Sequence, residues 1–80
     1  MHLEIITPDK KVYDGEVDLV RFPGSDGSFA VLKNHAPIIS TLQEGDIKIV
    51  TTDGNETYLQ VSGGVVEVKN NHIIVLAESV

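Results

Sequence analysis

Three histidines are the side chains of this sequence best suited to bind a metal or to carry a proton near neutral pH, and they are widely separated along the chain. His2, His35 and His72 offer neither the i, i+4 pair nor the Cys/His spacing of a zinc site, and the chain contains no cysteine at all. Their default places are turns and the surface, and no metal-binding residue is expected. The hydroxyls of Ser25, Ser28 and Ser62 lie in Gly-Ser-Asp-Gly, Gly-Ser-Phe and Val-Ser-Gly-Gly contexts, none of which is the Gly-x-Ser-x-Gly of a nucleophile elbow. No glycine run leads into Lys and Ser/Thr, so the loop that cradles a nucleotide phosphate is absent, as is the Rossmann pattern. A glycosidase would need two carboxylates in a cleft, usually with aromatic platforms, and this chain has no Trp. The residues imply no catalytic group, no cofactor-binding group and no cofactor.

Charge narrows the partners further. Twelve Asp and Glu stand against six Lys and Arg, for a formal charge of −6. Phosphate neutralisation needs a basic patch, so nucleic acid is disfavoured, and an anionic membrane surface is repelled for the same reason. Eighty residues make one small domain, 1–80, with a modest core. The N-terminus lacks the basic and apolar regions of a signal peptide. No apolar run approaches the roughly 20 residues that span a bilayer, so a soluble, intracellular chain without direct bilayer insertion is expected.

The elements that must carry any site are strands. Short runs rich in Val and Ile alternate with turn signals every six to twelve residues, which predicts an all-β sandwich or barrel. Strands are expected at Leu3–Thr7, Val12–Tyr13, Glu16–Phe22, Ser28–Leu32, Ile38–Leu42, Ile47–Thr51, Glu56–Ser62, Val65–Lys69 and Ile73–Ala77, with Asp14-Gly15 turning the chain between the second and third. Between Val17 and Phe22 the apolar set changes phase, which calls for a bulge or a strand buried on both sides. Thr52-Asp53-Gly54-Asn55 reads as a hairpin turn of type I′. Ile73-Ile74-Val75-Leu76-Ala77 is apolar without alternation, so both of its faces are expected to be covered.

The segment that offers more than scaffold is Asn34-His35-Ala36-Pro37. On the residues alone it is a stiff corner in which His35 bonds backbone carbonyls; as a docking element it would lose little entropy on binding. Phe29 likewise reads either as a core residue alternating with Val31 or as an aromatic anchor at an interface.

Taken together, Gly24-Ser25-Asp26-Gly27-Ser28-Phe29-Ala30-Val31-Leu32-Lys33-Asn34-His35-Ala36-Pro37-Ile38-Ile39 and Tyr58-Leu59-Gln60-Val61-Ser62-Gly63-Gly64-Val65-Val66-Glu67-Val68 resemble the epsilon subunit of F-type ATP synthases. The resemblance runs from His2-Leu3-Glu4-Ile5-Ile6-Thr7-Pro8 to Ile74-Val75-Leu76-Ala77-Glu78-Ser79. It implies a sandwich of ten short strands in two five-stranded sheets. It also implies a non-catalytic subunit of the central stalk, binding gamma and the c-ring, peripheral on the cytoplasmic face of a bacterial inner membrane. Matched position by position, Ser28, Phe29, Ala30, Leu32, Lys33, Asn34 and His35 would face the c-ring, and Thr7, His35 and Ser40 would face gamma. Members often carry an acidic and an aliphatic residue where Ser28 and Phe29 stand, and Gly at Ala30, so a ring contact here is expected to rest on apolar packing. The C-terminal helical pair of longer members does not follow Val80 in this sequence, and coupling without inhibition is the expectation. A stand-alone ligand-binding β module is the alternative class.

Overall fold

Period-two alternation of apolar residues shapes nearly every strand of the computed structural model, which describes all 80 residues, Met1–Val80. The strands are β1 (His2–Ile6), β2 (Lys11–Phe22), β3 (Phe29–Leu32), β4 (Ile38–Leu42), β5 (Gly45–Thr51), β6 (Glu56–Val61), β7 (Gly64–Lys69) and β8 (His72–Ala77), with no helix among them. The all-β fold class is therefore the one the sequence implies. In one layer β4, β7, β8, β1 and the first half of β2 lie side by side, β1 and β8 running parallel and the other pairs antiparallel. The second half of β2 pairs with β3 and β5, and β5 with β6, to form the other layer. Leu3, Ile5, Val66, Val68, Ile73, Val75 and Ala77 from the first layer meet Val17, Val20, Phe22, Val31, Ile47, Ile49 and Val61 from the second, all buried. Each Val, Leu, Ile or Phe among them, withdrawn fully from water, contributes about 1.5–3 kcal/mol, and Ala77 less.

Sequence and structure differ in the strand count, and β2 is the reason. Asp14 and Gly15 do not turn; they pair with Glu4 and Leu3 of β1 inside one continuous strand. The expected strands at Val12–Tyr13 and Glu16–Phe22 are thus halves of β2, and eight strands stand where the resemblance implied ten. The phase change does mark a bulge: pairing with β5 jumps from Val17↔Thr51 to Leu19↔Val50, leaving Asp18 as the extra residue. That irregularity lets β2 leave one layer and enter the other.

Two turns explain themselves through glycine. Gly54 has φ of 88° while Asp53 stays out of the positive region, and the Gly54 amide donates to the Thr51 carbonyl at 2.9 Å. This is a three-residue loop ending on a left-handed glycine rather than the type I′ turn the Asp-Gly pair suggested. The Asp53 carboxylate accepts from the Thr51 hydroxyl and, at 3.0 Å, from the Asn55 amide. These bonds, the Thr51 one first, hold its carboxyl below the ordinary carboxylate value. At the start of β7, Gly64 has φ of 153°. A Cβ there would lie 2.4 Å from the Leu76 carbonyl oxygen, so only glycine lets β7 approach β8 this closely.

β8 corrects the remaining expectation. Ile73, Val75 and Ala77 point inward and are buried, but Leu76 is 56% exposed and Ile74 half-buried. Within this chain the run has one face covered; its second face forms part of an open outer surface.

Candidate docking surface

The Asn34–Pro37 corner joins β3 of one layer to β4 of the other, and short-range bonds fix it. Asn34 adopts a left-handed conformation, φ 68°, which Asn tolerates better than other non-glycine residues. The His35 amide donates to the Leu32 carbonyl at 3.1 Å, and its ring Nδ1 lies 2.7 Å from the Ala36 carbonyl oxygen, a contact that requires the proton on Nδ1. The Asn34 amide donates to the Asn71 side-chain oxygen at 2.6 Å, which ties the corner to the β7–β8 turn.

The residues matched to the c-ring side run along β3 into this corner. Ser28, Ala30, Leu32, Lys33 and Asn34 are exposed, Leu32 by 51%, and His35 is half-buried. Phe29 takes the packing role: its ring lies 5.6 Å from that of Phe22, and a Cβ on Gly24 would come within 2.9 Å of it. Thr7 lies in the β1–β2 turn, where its hydroxyl donates to the Lys10 carbonyl at 3.1 Å. Ser40 is half-buried on β4, in register with Val66. Ile38, beside the corner, shares its cross-strand row with Val68, Ile73 and Leu3. Thr7 lies four residues further along β1, about 13 Å at the rise of a strand. Thr7, Ser40 and His35 are therefore strung along the first layer rather than gathered at one point.

Two features of this layer's outer face escaped sequence reasoning. The first is apolar: Thr41, Val65, Leu76 and Ile6 form one cross-strand row, and Ile39, Glu67, Ile74 and Glu4 the next. Ile39 is 71% exposed. The unalternating run Ile73–Ala77 was the signal for it, since a strand with one wet face ordinarily alternates apolar and polar residues. The second is polar. His2 and His72, remote in sequence, meet on the parallel pair β1 and β8 with ring centroids 5.4 Å apart. His2 places Nδ1 at 2.6 Å from Glu16 and Nε2 at 2.6 Å from Asp14; His72 Nε2 is 3.0 Å from Glu4, and Lys11 bridges Glu4 and Asp14 at 3.1 Å each. No group of three His, Asp or Glu side chains is arranged to hold a metal ion. The largest hollow, about 320 Å³, is an open depression lined by Pro37, Ile38, Ile39, Glu67, Val68 and Lys69.

The chain is a small all-β sandwich with an exposed apolar face and a corner fixed by short-range bonds. Its sequence matches, over residues 1–80, the family model described as the β-sandwich domain of the ATP synthase delta/epsilon chain, and the chain belongs to that family. It is 48% identical over 77 residues to an ATP synthase epsilon chain of Maridesulfovibrio salexigens, covering 95% of this chain and 53% of that one. To the epsilon chain of Chlorobium limicola it is 41% identical over 78 residues, covering 98% and 89%. The chain thus spans about half the length of the first relative and nearly all of the second. Among solved structures, the fold is shared with a chain of the Euglena gracilis mitochondrial ATP synthase, at a TM-score of 0.90 and 20% identity over 98% of this chain and 51% of that one. It is shared also with a chain of the Tetrahymena thermophila mitochondrial ATP synthase central stalk and c-ring, at 0.83 and 20% over 99% and 63%. No helix of this structure is long and apolar enough to cross a membrane.

Proposed function

We propose that this chain is a non-catalytic rotor subunit of a proton-translocating ATP synthase, peripheral on the cytoplasmic face of a bacterial inner membrane. It docks gamma and the c-ring to each other and turns with them. The observation that carries this reading is the unbroken match of residues 1–80 to the delta/epsilon sandwich domain. The geometry is in keeping with it: the corner at His35 joins the two layers, so one stretch of chain can meet two partners. Leu32, Ala30 and Lys33 offer an apolar and cationic edge to the c-ring, and the Ile39–Val65–Leu76 face offers an apolar bed to gamma, with Thr7 in the turn beyond its end and Ser40 on the inward side of β4. A close-packed sandwich suits the task because torque must pass through an element with few soft degrees of freedom.

The test is reconstitution. Vesicles carrying the synthase without its epsilon chain should make little ATP from a proton gradient, and adding this chain should restore synthesis. Failure of the folded chain to bind or to restore synthesis would reject the assignment.

A further inference from the structure

We propose that His2, clamped between Asp14 and Glu16 and set edge-on against His72, is a proton-operated latch that holds the Asn34–His35 corner in its docking conformation. This rests on the reading of that corner as a docking element. Both ring nitrogens of His2 face a carboxylate oxygen at 2.6 Å, and carboxylates only accept. A neutral imidazole has a single N–H, so the observed double contact is complete only in the imidazolium form. The Glu16 bond first, then that of Asp14, raises the His2 pKa above its ordinary 6.5 against the opposing effect of desolvation.

Every element around the pair contributes charge. On β1 there is Glu4; on β2, Lys11, Asp14 and Glu16; on β8, His72 bonded to Glu4; on β7, Lys69 stands opposite His72 in register. The Met1 ammonium lies 3.9 Å from Glu16. Among the six side chains joined by ion pairs, three carboxylates face one lysine, so protonating His2 takes the cluster from a formal −2 to −1.

The route to the corner is short. The His2 amide donates to the Asn71 carbonyl at 2.9 Å, and Asn71 holds Asn34 through bonds of 2.6 and 3.2 Å. When His2 loses its proton, one clamp bond goes and two carboxylates face an uncharged ring, loosening the start of β1 and the turn on which Asn34 rests. A group whose folded pKa is raised stabilises fully below its unfolded value, here 6.5, and loses that contribution as pH rises through the folded value.

The measurement is amide-exchange protection of Asn34, corrected for intrinsic rate, with the three imidazoles followed by NMR. Between about pH 6 and pH 8, wild-type protection should fall about threefold, the scale of exposed charge pairs, with its midpoint at the titration of His2. His2→Gln should abolish the fall, and Glu16→Gln, which keeps the histidine, should move the midpoint down. Protection that does not change with pH, a His2 titrating at or below 6.5, or the same fall in His2→Gln would overturn the latch. Assembly of His35→Glu is scored separately: intact assembly there rejects the docking role of the corner, whereas a flat pH profile rejects only the latch.

Discussion

Asn34 and Asn71, 37 residues apart, hold each other by a reciprocal pair of bonds, 2.6 Å from the Asn34 amide to the Asn71 side chain and 3.2 Å back to the Asn34 side chain. Both have positive φ, 68° and 60°. The corner between the layers and the β7–β8 turn are thereby closed against each other. Asn71→Gly keeps the backbone permissive and removes only the side chain. It should lower stability by about 1 kcal/mol and reduce exchange protection at Asn34 more than at the core amides of Ile49 or Val75. Uniform loss of protection across the domain would contradict this local role.

Gly64→Ala should be among the costliest single-methyl additions in the chain. Its Cβ would sit 2.4 Å from the Leu76 oxygen on a backbone with φ of 153°. A cost of about 2 kcal/mol or more is expected, seen in urea unfolding as a lower midpoint with an unchanged slope. Gly27→Ala, where nothing lies within 4 Å of the added carbon, reports the cost of a positive φ alone and should cost less.

Phe29 and Leu32 lie on one short strand and separate packing from docking. Phe29→Ala removes a ring set against Phe22 and the core and should cost about 2–3 kcal/mol, below the range for a fully buried Phe. Leu32→Ser, on an exposed side chain, should change stability by no more than about 0.5 kcal/mol while weakening retention of the c-ring. If Leu32→Ser destabilises the domain as much as Phe29→Ala, the outward assignment of Leu32 fails.

The acid limb of stability should come from Glu4 and Asp14. Glu4 is lowered by its bond to His72 and then by Lys11, and Asp14 by Lys11 and then by His2. Groups with depressed pKa stabilise above their unfolded values, 4.5 and 3.8, and lose that contribution as pH falls. Lys11→Met, removing the cation between them, should therefore move the acid unfolding midpoint to higher pH. An unmoved midpoint would mean that the cluster does not govern acid stability.

Strand positions were legible in the sequence because period-two alternation and turn residues are local: Ile38–Leu42 is found where it is expected. Asp14-Gly15 misled because a turn dipeptide signals only what the backbone tolerates, and pairing to β1 over His2–Ile6 outweighed it. The bulge at Asp18 was readable because a phase change cannot be absorbed by a regular strand. His35 and its neighbours could be singled out because Ala36-Pro37 fixes a corner. The His2–His72 pair could not, since only the parallel contact of β1 with β8 joins the two ends of the chain, and nothing local encodes that contact. Leu76 stands exposed for a related reason: a run of five apolar residues shows that two faces are apolar, and the topology of this chain covers only the first.

The most direct test of the account is affinity capture of gamma and c subunits by the tagged chain, comparing wild type with Leu76→Glu, Leu32→Glu and His35→Glu at matched thermal midpoints. Wild type should retain both partners. Leu76→Glu should lose gamma, Leu32→Glu the c-ring, and His35→Glu should weaken both, each by about tenfold or more as expected for interface-centre residues. Wild type that retains neither partner, or folded variants that retain both as well as wild type does, would contradict the account.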